Sequence, residues 1–449
     1  MTELTDTIAA VATPAGRGGI GIIRISGPRA AAIARGMLGM LPPPRHASYL
    51  PFRGHDDAPI DHGLALYFPA PHSYTGEDVL ELHGHGGPVV LDMLLERALA
   101  LGARHARSGE FTERAYLNDK LDLAQAEAVA DLIASGSRSA ARAALRALDG
   151  ALSDRIRALV QRLTWLRTCV EASIDFPEDD IDPLQDEQLR QTLDEADNAL
   201  QQLRQGARQG RLLRDGIKVV IAGRPNAGKS SLLNALAERD CAIVTPVAGT
   251  TRDLVREYLH IDGIPLHIVD TAGLREGVDP VEQAGIARAR AEMAQADRIL
   301  LVRDDTAPWG SEDEALLTAM PASVPVTVVH NKIDLSGRQA GPRPHGGRDG
   351  YSVSATGGTG LEVLKRHLVG TASGAMTTEG VFVARRRHLD ALDAAAGCFR
   401  QARSHLYQNR NELFAEELRL AQRHLGTITG EVTPDELLGK IFAEFCIGK

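Results

Sequence analysis

Short apolar runs alternate with Gly- and Pro-rich turns over the first 118 residues, and this pattern predicts a mixed α+β domain. The apolar runs at residues 20–25 and 63–68 predict strands. The spacing over residues 88–101 predicts a helix, whose apolar stripe consists of Val90, Leu94, Leu95 and Leu99.

From Leu121 to Leu213 the chain is rich in alanine and leucine, and its apolar residues recur with the period of a helix. One apolar face over several turns is formed by Leu152, Ile156, Leu159 and Leu163. The helical pattern returns over residues 385–425, with one face formed by Leu389, Leu392 and Ala396. The two segments predict one all-α helical domain that is discontinuous in sequence.

Between the helical segments, apolar runs alternate with helical stretches, which predicts an inserted α/β domain. We therefore expect an N-terminal α+β domain at residues 1–118, helical segments at 119–215 and 376–449, and the inserted domain at 216–375. Motion within the inserted domain would act on helices at both of its connections.

A glycine-rich loop follows the first apolar run of the inserted domain. Residues 223–230 read Gly-Arg-Pro-Asn-Ala-Gly-Lys-Ser, which is the phosphate-binding P-loop spacing G-x-x-x-x-G-K-[ST]. A strand is predicted before the loop and a helix after it, the setting that phosphate binding requires and an ordinary glycine turn does not. Lys229 can then reach the β- and γ-phosphates, and the Ser230 hydroxyl can bind Mg²⁺. The loop predicts a nucleoside triphosphate site.

Two further motifs extend the phosphate end of the site. Asp270 ends a second apolar run and can hold Mg²⁺ directly or through water, while the N–H of Gly273 can contact the γ-phosphate. A polar loop between the motifs carries Thr251, which can supply a second hydroxyl to Mg²⁺. Each motif alone is weak, but their order after the P-loop is that of a nucleotide hydrolase.

The base is indicated by Asn331-Lys332-Ile333-Asp334, which follows a third apolar run. The Asp334 carboxylate can accept two hydrogen bonds from guanine, whereas adenine offers no matching pair of donors, and such rejection can reach roughly four or five decades. The motifs together predict a Ras-like α/β P-loop GTPase domain. Its expected contacts are Asn226, Ala227, Gly228, Lys229, Ser230, Ser231, Thr251, Asp270, Thr271, Ala272, Gly273, Asn331, Lys332, Asp334, Ser354, Ala355 and Thr356.

Composition narrows the class of protein further. The 449 residues carry a net charge of −9, which argues against a general polyanion-binding surface but leaves a local basic patch as an alternative. The four cysteines, Cys169, Cys241, Cys398 and Cys446, show no metal or C-x-x-C spacing, so we expect free thiols in a cytoplasmic protein. No signal peptide and no apolar stretch of transmembrane length is found in the sequence.

Residues 16–21 match the dinucleotide-binding fingerprint G-x-G-x-x-G. A proline precedes the match where a strand is needed, and a β pattern follows where a helix is needed. We interpret it as a glycine loop.

Three segments carry a resemblance over essentially the whole chain. They are Gly-Arg-Gly-Gly-Ile-Gly-Ile-Ile-Arg-Ile-Ser-Gly at 16–27, Leu-Asn-Asp-Lys-Leu-Asp-Leu-Ala-Gln-Ala-Glu at 117–127, and Phe-Ala-Glu-Phe-Cys-Ile-Gly-Lys at 442–449. The chain closely resembles the MnmE (TrmE) family of tRNA-modification GTPases. The resemblance implies a homodimer formed through the N-terminal domain and a complex with MnmG, an FAD protein. The pair would install a carboxymethylaminomethyl group on carbon 5 of the wobble uridine of certain tRNAs.

The resemblance also implies a folate pocket that supplies the one-carbon unit from 5-formyl- or methylene-tetrahydrofolate. Its contacts fall on Arg24, Glu81, Lys120 and Lys449. The basic side chains can pair with glutamyl carboxylates and Glu81 can accept pterin N–H groups, although surface salt bridges are the alternative. Cys446 is similar to a cysteine for which the family suggests a catalytic role; a buried structural thiol is the alternative, and the terminal lysine argues against a prenylation motif.

For hydrolysis, the position of the usual water-orienting glutamine is Leu274. The resemblance implies that Glu282 orients the water instead, with a solvated carboxylate as the alternative. It also implies that K⁺ replaces an arginine finger, held by Asn226, Thr245, Val247 and Thr250, in a loop ordered when two nucleotide domains meet. That loop, expected to contact nucleotide and ion, consists of Thr245, Pro246, Val247, Ala248, Gly249 and Thr250.

Two other classes share the nucleotide motifs. A ribosome-assembly GTPase would need neither the folate contacts nor the terminal Cys-Ile-Gly-Lys. A membrane-remodelling GTPase would need a lipid-binding or polymerising surface, for which the sequence offers no pattern. Arg252 and Arg275 could act as arginine fingers, but we interpret them as structural residues of the switch loops.

Overall fold

The computed structural model describes residues 6–175, 186–237, 256–261, 264–270, 291–373, 381–432, 435–443, 445–446 and 448. The chain divides into two compact units. The first unit comprises Met1–Ala130, Ala147–Asp197 and Ala391–Lys449, and the second comprises Asp131–Arg146 and Asn198–Asp390. The second unit therefore interrupts the first, as the discontinuous helical pattern requires.

A six-stranded sheet forms the N-terminal part of the first unit, with strand order β3-β4-β5-β2-β1-β6. Its strands are β1 (Ile8–Val11), β2 (Gly18–Ser26), β3 (Ser48–Arg53), β4 (Pro59–Phe68), β5 (Val79–Gly86) and β6 (Arg104–His105). Neighbouring strands are antiparallel, except that β1 and β6 are parallel. The predicted strands at 20–25 and 63–68 lie within β2 and β4. The glycine fingerprint at 16–21 runs into β2 and not into a helix, so the structure excludes the dinucleotide reading.

Helices α1 (Ala30–Leu38) and α2 (Pro88–Ala100) supply the apolar side chains that cover one face of this sheet. Because side chains alternate along a strand, Ile23 and Ile25 are buried in that core while Arg24 points to the opposite face. The predicted stripe of α2 is displaced. The buried residues are Leu91, Leu94 and Ala98, and Val90, Leu95 and Leu99 are only partly buried. Sequence spacing alone did not distinguish two adjacent stripes on a helix this rich in leucine.

Helix α3 (Glu110–Leu117) carries Arg114, a fully buried guanidinium. Arg114 forms ion pairs with Asp6 at 2.7 Å, Glu77 at 3.0 Å and Glu110 at 3.2 Å. Burial raises the pKa of Glu110, but hydrogen bonds from Arg104, Arg107 and Arg114 outweigh it and lower that pKa to about 2. Each buried charge in the cluster therefore has a partner of opposite sign, as charges removed from water require.

The remaining helices of the first unit are α4 (Leu123–Ala134), α5 (Arg138–Leu148), α6 (Ala151–Asp175), α7 (Glu187–Asp215), α12 (Arg386–Tyr407), α13 (Asn411–Thr429) and α14 (Asp435–Ala443). Four of these helices, α4, α5, α7 and α12, continue into the second unit. Helices α6 and α13 pack together, joined by a hydrogen bond of 2.8 Å from Arg167 to Gln422. The predicted stripe of α6 is confirmed, since its four residues are all buried.

The second unit contains a seven-stranded sheet with strand order β12-β13-β11-β10-β7-β9-β8. Its strands are β7 (Ile217–Ala222), β8 (Arg256–Ile261), β9 (Ile264–Asp270), β10 (Arg298–Asp304), β11 (Val326–Asn331), β12 (Gly341–Pro342) and β13 (Gly350–Ser352). The five central strands are parallel, and each edge strand is antiparallel to its neighbour. The helices of this domain are α8 (Lys229–Ala237), α9 (Ser311–Thr318), α10 (Ile333–Ser336) and α11 (Leu361–Ser373). This is the expected Ras-like α/β domain, inserted into a helical domain.

One carboxylate joins the two places where the chain enters and leaves the inserted domain. Asp131 on α4 forms ion pairs with Arg214, just before β7, at 2.8 Å and with Arg385, just before α12, at 2.9 Å. Val383 N–H also donates to the carbonyl of Ala143 at 3.3 Å. Both connections are therefore held through Asp131 on α4, and the second of them also contacts Ala143 on α5.

Candidate functional site

The P-loop connects the central strand β7 to α8 and has little room at its glycines. Gly223 has φ 150°, and a Cβ there would lie 2.1 Å from the carbonyl oxygen of Val302. Gly228 has φ 88°, and a Cβ there would lie 2.3 Å from Nδ2 of Asn331. Both glycines of the motif are therefore required by close approach as well as by backbone conformation.

Lys229 is the first residue of α8, and its ammonium group donates to the carbonyls of Gly223 and Arg224 at 3.0 Å each. The side chain thus folds back over the loop into which phosphates would bind. Ser230 and Ser231 follow in the exposed first turn of α8, where helix N–H groups and the positive end of the helix dipole favour an anion. Asn226 is exposed in the same loop and has a left-handed backbone with φ 62°.

Asn331 couples the phosphate loop to the predicted base loop. Its amide group donates to the carbonyl of Ala227 at 3.1 Å, and its side-chain oxygen accepts from the N–H of Ala355 at 3.0 Å. Because Asn331 is buried, both contacts are protected from water. The structure therefore joins three of the predicted segments through one side chain.

Asp334 is exposed on α10, and the Ser354 hydroxyl donates to its carboxylate at 2.6 Å. The same Ser354 oxygen accepts from the N–H of Gly357 at 2.9 Å, which fixes the loop that contains Ala355 and Thr356. One Asp334 carboxylate oxygen is thereby oriented, and an exposed carboxylate held in this way can receive the donors of a guanine edge.

Lys332 has a left-handed backbone with φ 67°, and its ammonium group contacts Asp304 Oδ2 at 2.7 Å. Burial raises the pKa of Asp304, but hydrogen bonds from Lys332 and Thr306 outweigh it and lower that pKa to about 2. Asp304 was missed by the sequence analysis. The available signal was its position at the end of an apolar run in a parallel sheet, where ligand-binding residues collect.

A second cluster lies on the face of the N-terminal sheet opposite α1 and α2, where Phe111 of α3 also packs. Arg24 and Glu81 are paired residues on β2 and β5, with 2.9 Å between Arg24 Nε and Glu81 Oε1. His83 contacts the other Glu81 oxygen at 3.1 Å. Burial raises the pKa of Glu81, but His83 and Arg24 outweigh it, so the pKa lies below its usual value. The structure therefore brings Arg24 and Glu81, two of the predicted folate contacts, together. Their ion pair also fits the alternative interpretation, in which the two residues form a salt bridge.

The Arg24 guanidinium also lies 5.6 Å from the ring centre of Tyr74 and 5.7 Å from that of Phe111. Lys120 borders the segment that follows Tyr74, since a Cβ on Gly76 would lie 3.1 Å from Lys120 Cε. The sequence analysis missed His83 and Tyr74, because neither belongs to a motif with a chemical signature. The register of β2 and β5 places Arg24 beside Glu81 and near His83, whereas Tyr74 comes from the connection between β4 and β5.

Cys446 is exposed, which excludes the alternative of a buried structural thiol. Its carbonyl accepts from the N–H of Gly109 at 3.3 Å, while Phe445 is buried beside Phe442. Gly109 has φ 66°, and a Cβ there would lie 2.7 Å from the Phe442 carbonyl oxygen. The segment that carries Cys446 thus packs closely against the start of α3.

Several predicted residues lie outside the part of the chain that the structure describes. Those outside the described residues are Thr245, Pro246, Val247, Ala248, Gly249, Thr250, Thr251, Thr271, Ala272, Gly273, Glu282 and Lys449. Asp270 ends β9, and its side chain lies outside the described atoms. Within the described ranges, no cluster of three or more His, Cys, Asp or Glu side chains could hold a metal ion. No helix there is long and apolar enough to cross a membrane.

Comparisons with known proteins agree with this arrangement. The family profile described as GTP-binding protein TrmE N-terminus matches residues 7–120, and that of the MnmE helical domain matches residues 123–446. The chain is 57% identical to the tRNA modification GTPase MnmE of Marinobacter nauticus, over 100% of both chains. It is 55% identical to the protein of that name from Proteus mirabilis, over 99% of both.

Among solved structures, Era from Aquifex aeolicus with bound GDP and AlF4⁻ is 28% identical over 40% of this chain and 66% of that chain. Its TM-score of 0.28 is too low to add to the assignment. The full-length relatives and the two family profiles decide it. The chain belongs to the MnmE (TrmE) family of tRNA modification GTPases.

Proposed function

We propose that this chain hydrolyses GTP as part of a tRNA-modifying complex. Together with MnmG it would install a carboxymethylaminomethyl group on carbon 5 of the wobble uridine, using a one-carbon unit from 5-formyl- or methylene-tetrahydrofolate. The observation that carries the GTPase part is the Asn331 side chain, which links the P-loop to the loop that follows Ser354. Full-length similarity to proteins named tRNA modification GTPase supports tRNA as the substrate.

The proposed nucleotide site uses the P-loop for phosphates and Asp334 for guanine. Lys229 would leave its carbonyl partners for the β- and γ-phosphates, and Ser230 and Thr251 would bind Mg²⁺. The hard oxygen of an exposed serine on the first turn of α8 is suited to that ion. When bound, Mg²⁺ would neutralise charge on the phosphates.

For hydrolysis we propose Glu282 as the residue that orients water. Asn226 would provide a side-chain oxygen to K⁺, together with Thr245, Val247 and Thr250. Support comes from the exposed position of Asn226 within the P-loop, where its side chain is available to an ion beside the phosphates. The ion would supply the positive charge that an arginine finger supplies elsewhere. A homodimer in which two nucleotide domains meet would complete this cage.

GTP turnover is expected to be at least about tenfold faster in KCl than in NaCl at equal ionic strength, because a smaller ion fits a cage of carbonyl and amide oxygens less well. Steady-state phosphate release measures this. Asn226→Ala should remove most of the difference between the two salts, and Gln201→Ala, a change on helix α7, should leave it. Equal rates for the unchanged protein in the two salts would refute the cage.

The proposed folate site lies at the Arg24–Glu81 pair, with Lys120 and Lys449 as further contacts. The Arg24 guanidinium forms an ion pair with Glu81 and also lies beside the rings of Tyr74 and Phe111. Such an arrangement provides a cation for a carboxylate and aromatic surface for a pterin ring. The exposed Cys446 thiol is the remaining catalytic candidate. We propose the four domain ranges given by the sequence pattern as the functional units.

Calorimetry with 5-formyltetrahydrofolate is expected to detect binding, and Arg24→Ala should weaken it by about tenfold or more because a charge-assisted contact is lost. Arg53→Ala is the matched control, since Arg53 is a partly exposed arginine of the same sheet that pairs with Asp57. Equal weakening by both changes would point to a general charge effect. No binding by the unchanged protein would refute the proposed folate site.

A further inference from the structure

Two adjacent aspartates, Asp304 and Asp305, lie where strand β10 ends, directly beside the predicted guanine-binding loop. Asp304 is the last residue of β10, and the N–H of Asp305 donates to the carbonyl of Asn331 at 2.9 Å. No recognised nucleotide motif of the sequence includes either residue. Their side chains nevertheless contact the chain on opposite sides of Asp334.

Asp305 is the more deeply buried of the pair, with 2% of its side chain exposed. It receives the Ser336 hydroxyl at 2.7 Å, Arg338 Nε at 2.9 Å and Arg343 Nη1 at 2.5 Å. All three donors come from the chain after Asp334, whereas Asp304 holds Lys332, which comes before it. The aspartates therefore fasten both ends of the segment that carries Asp334.

Other contacts hold residues 331–343 mainly at their two ends, where the Asn331 amide contacts the P-loop and Gly341–Pro342 pairs with β13. Between these ends, Asp334 receives the Ser354 hydroxyl. Helix α10 is a single turn, which is not stable by itself in water. Asn331 and Ile333 are buried, but residues 334–340 are exposed or only partly buried, and Leu335 is 69% exposed. Because this segment buries little apolar surface, the polar contacts to the two aspartates help to determine where Asp334 lies, together with the hydrogen bond from Ser354.

We propose that Asp304 and Asp305 are positioning residues for guanine recognition, and that they set the orientation of Asp334 through Lys332 and through Ser336, Arg338 and Arg343. This inference rests on the proposed role of Asp334. Two hydrogen bonds from one base edge require a carboxylate fixed in both position and angle. Neutralising Asp305 would release the far end of the segment and leave its two arginines without a buried partner.

The test compares GDP with IDP, whose base lacks the 2-amino group that Asp334 would bind. For Asp305→Asn we expect the GDP affinity to fall about tenfold and the IDP affinity to fall less, so that the preference for GDP contracts. Fluorescence titration of the full-length protein measures both constants, and thermal unfolding reports the fold. Asp297→Asn is the matched control, because Asp297 lies at the other end of β10, where it accepts the N–H of Lys218 at 2.9 Å.

An unchanged ratio of GDP affinity to IDP affinity would overturn the inference. This holds if both affinities stay the same, and also if both fall by the same factor while the melting temperature is lowered. Arg343→Gln keeps the test available if Asp305→Asn fails to fold, since Arg343 is partly exposed and should give a smaller contraction in the same direction. Asp334→Asn separates this inference from the proposed site. If Asp334→Asn keeps the GDP preference, the proposed base contact itself is wrong. If it loses the preference and the Asp305 variants keep it, only the positioning role is wrong.

Discussion

Replacing Asp334 by asparagine is expected to weaken GDP binding by roughly four decades and to transfer the preference to xanthosine diphosphate. The carboxylate that would accept two guanine N–H groups becomes an amide that donates at one of those positions. A clash of two donors replaces a hydrogen bond there, whereas xanthine offers a carbonyl oxygen at the same place. The contact between Ser354 and Asp334 should survive, because an amide oxygen also accepts from a hydroxyl.

Competition titrations with GDP, XDP and ADP measure this change. Glu362→Gln is a suitable control, since Glu362 is an exposed carboxylate of the same domain on helix α11. A variant that still prefers GDP would show that the base is read by other groups. A variant with weakened binding to all three nucleotides and no gain for XDP would point to loss of structure in the segment.

Glu282→Ala is expected to reduce GTP turnover by roughly two decades or more while nucleotide affinity stays nearly unchanged, because the carboxylate would act on the attacking water and not on the bound nucleotide. Single-turnover phosphate release and GDP titration separate the two effects. The adjacent change Gln283→Ala is the control. A normal rate for Glu282→Ala would refute the water-orienting role and favour the alternative, a solvated carboxylate.

The proposed potassium dependence provides a further check on the Glu282 prediction. If Glu282 orients water and Asn226 holds the ion, the residual turnover of Glu282→Ala should still depend on KCl. Loss of both turnover and salt dependence would mean that Glu282 takes part in forming the cage. The unchanged protein and the Asn226→Ala variant give the largest and the smallest expected difference in turnover between KCl and NaCl.

Much of the nucleotide domain could be predicted because its chemistry is local in sequence. The P-loop places its glycines, Lys229 and Ser230 within eight residues, and each must satisfy a backbone or phosphate constraint that few residue types meet. The apolar runs that became β7 and β11 are buried in a parallel sheet on both faces, so they read as continuous apolar runs. The insertion into a helical domain was predicted because a helical repeat of apolar residues stops before the P-loop domain and returns after it.

The supporting contacts were not predictable, because they join residues that are distant in sequence. Arg114 meets Asp6 across 108 positions and Glu77 across 37, and no spacing rule relates them. His83 contacts Glu81 from the same strand, but its relevance depends on the register that pairs Glu81 with Arg24. Asp305 likewise belongs to no sequence motif, and its partners Ser336 and Arg343 lie 31 and 38 positions further along the chain.

The Asp131 contacts have a consequence for how such a chain could have arisen. Because Arg214 and Arg385 reach the same carboxylate, the two ends of the intervening 170 residues lie close together. A host helical fold can accept a long insertion at little cost when the ends of the insertion are adjacent, since its own helices need not separate. Such a geometry allows the inserted domain to be acquired as a complete folded unit. The contacts of Asp131 with Arg214 and Arg385 lie where the inserted domain joins the helical domain.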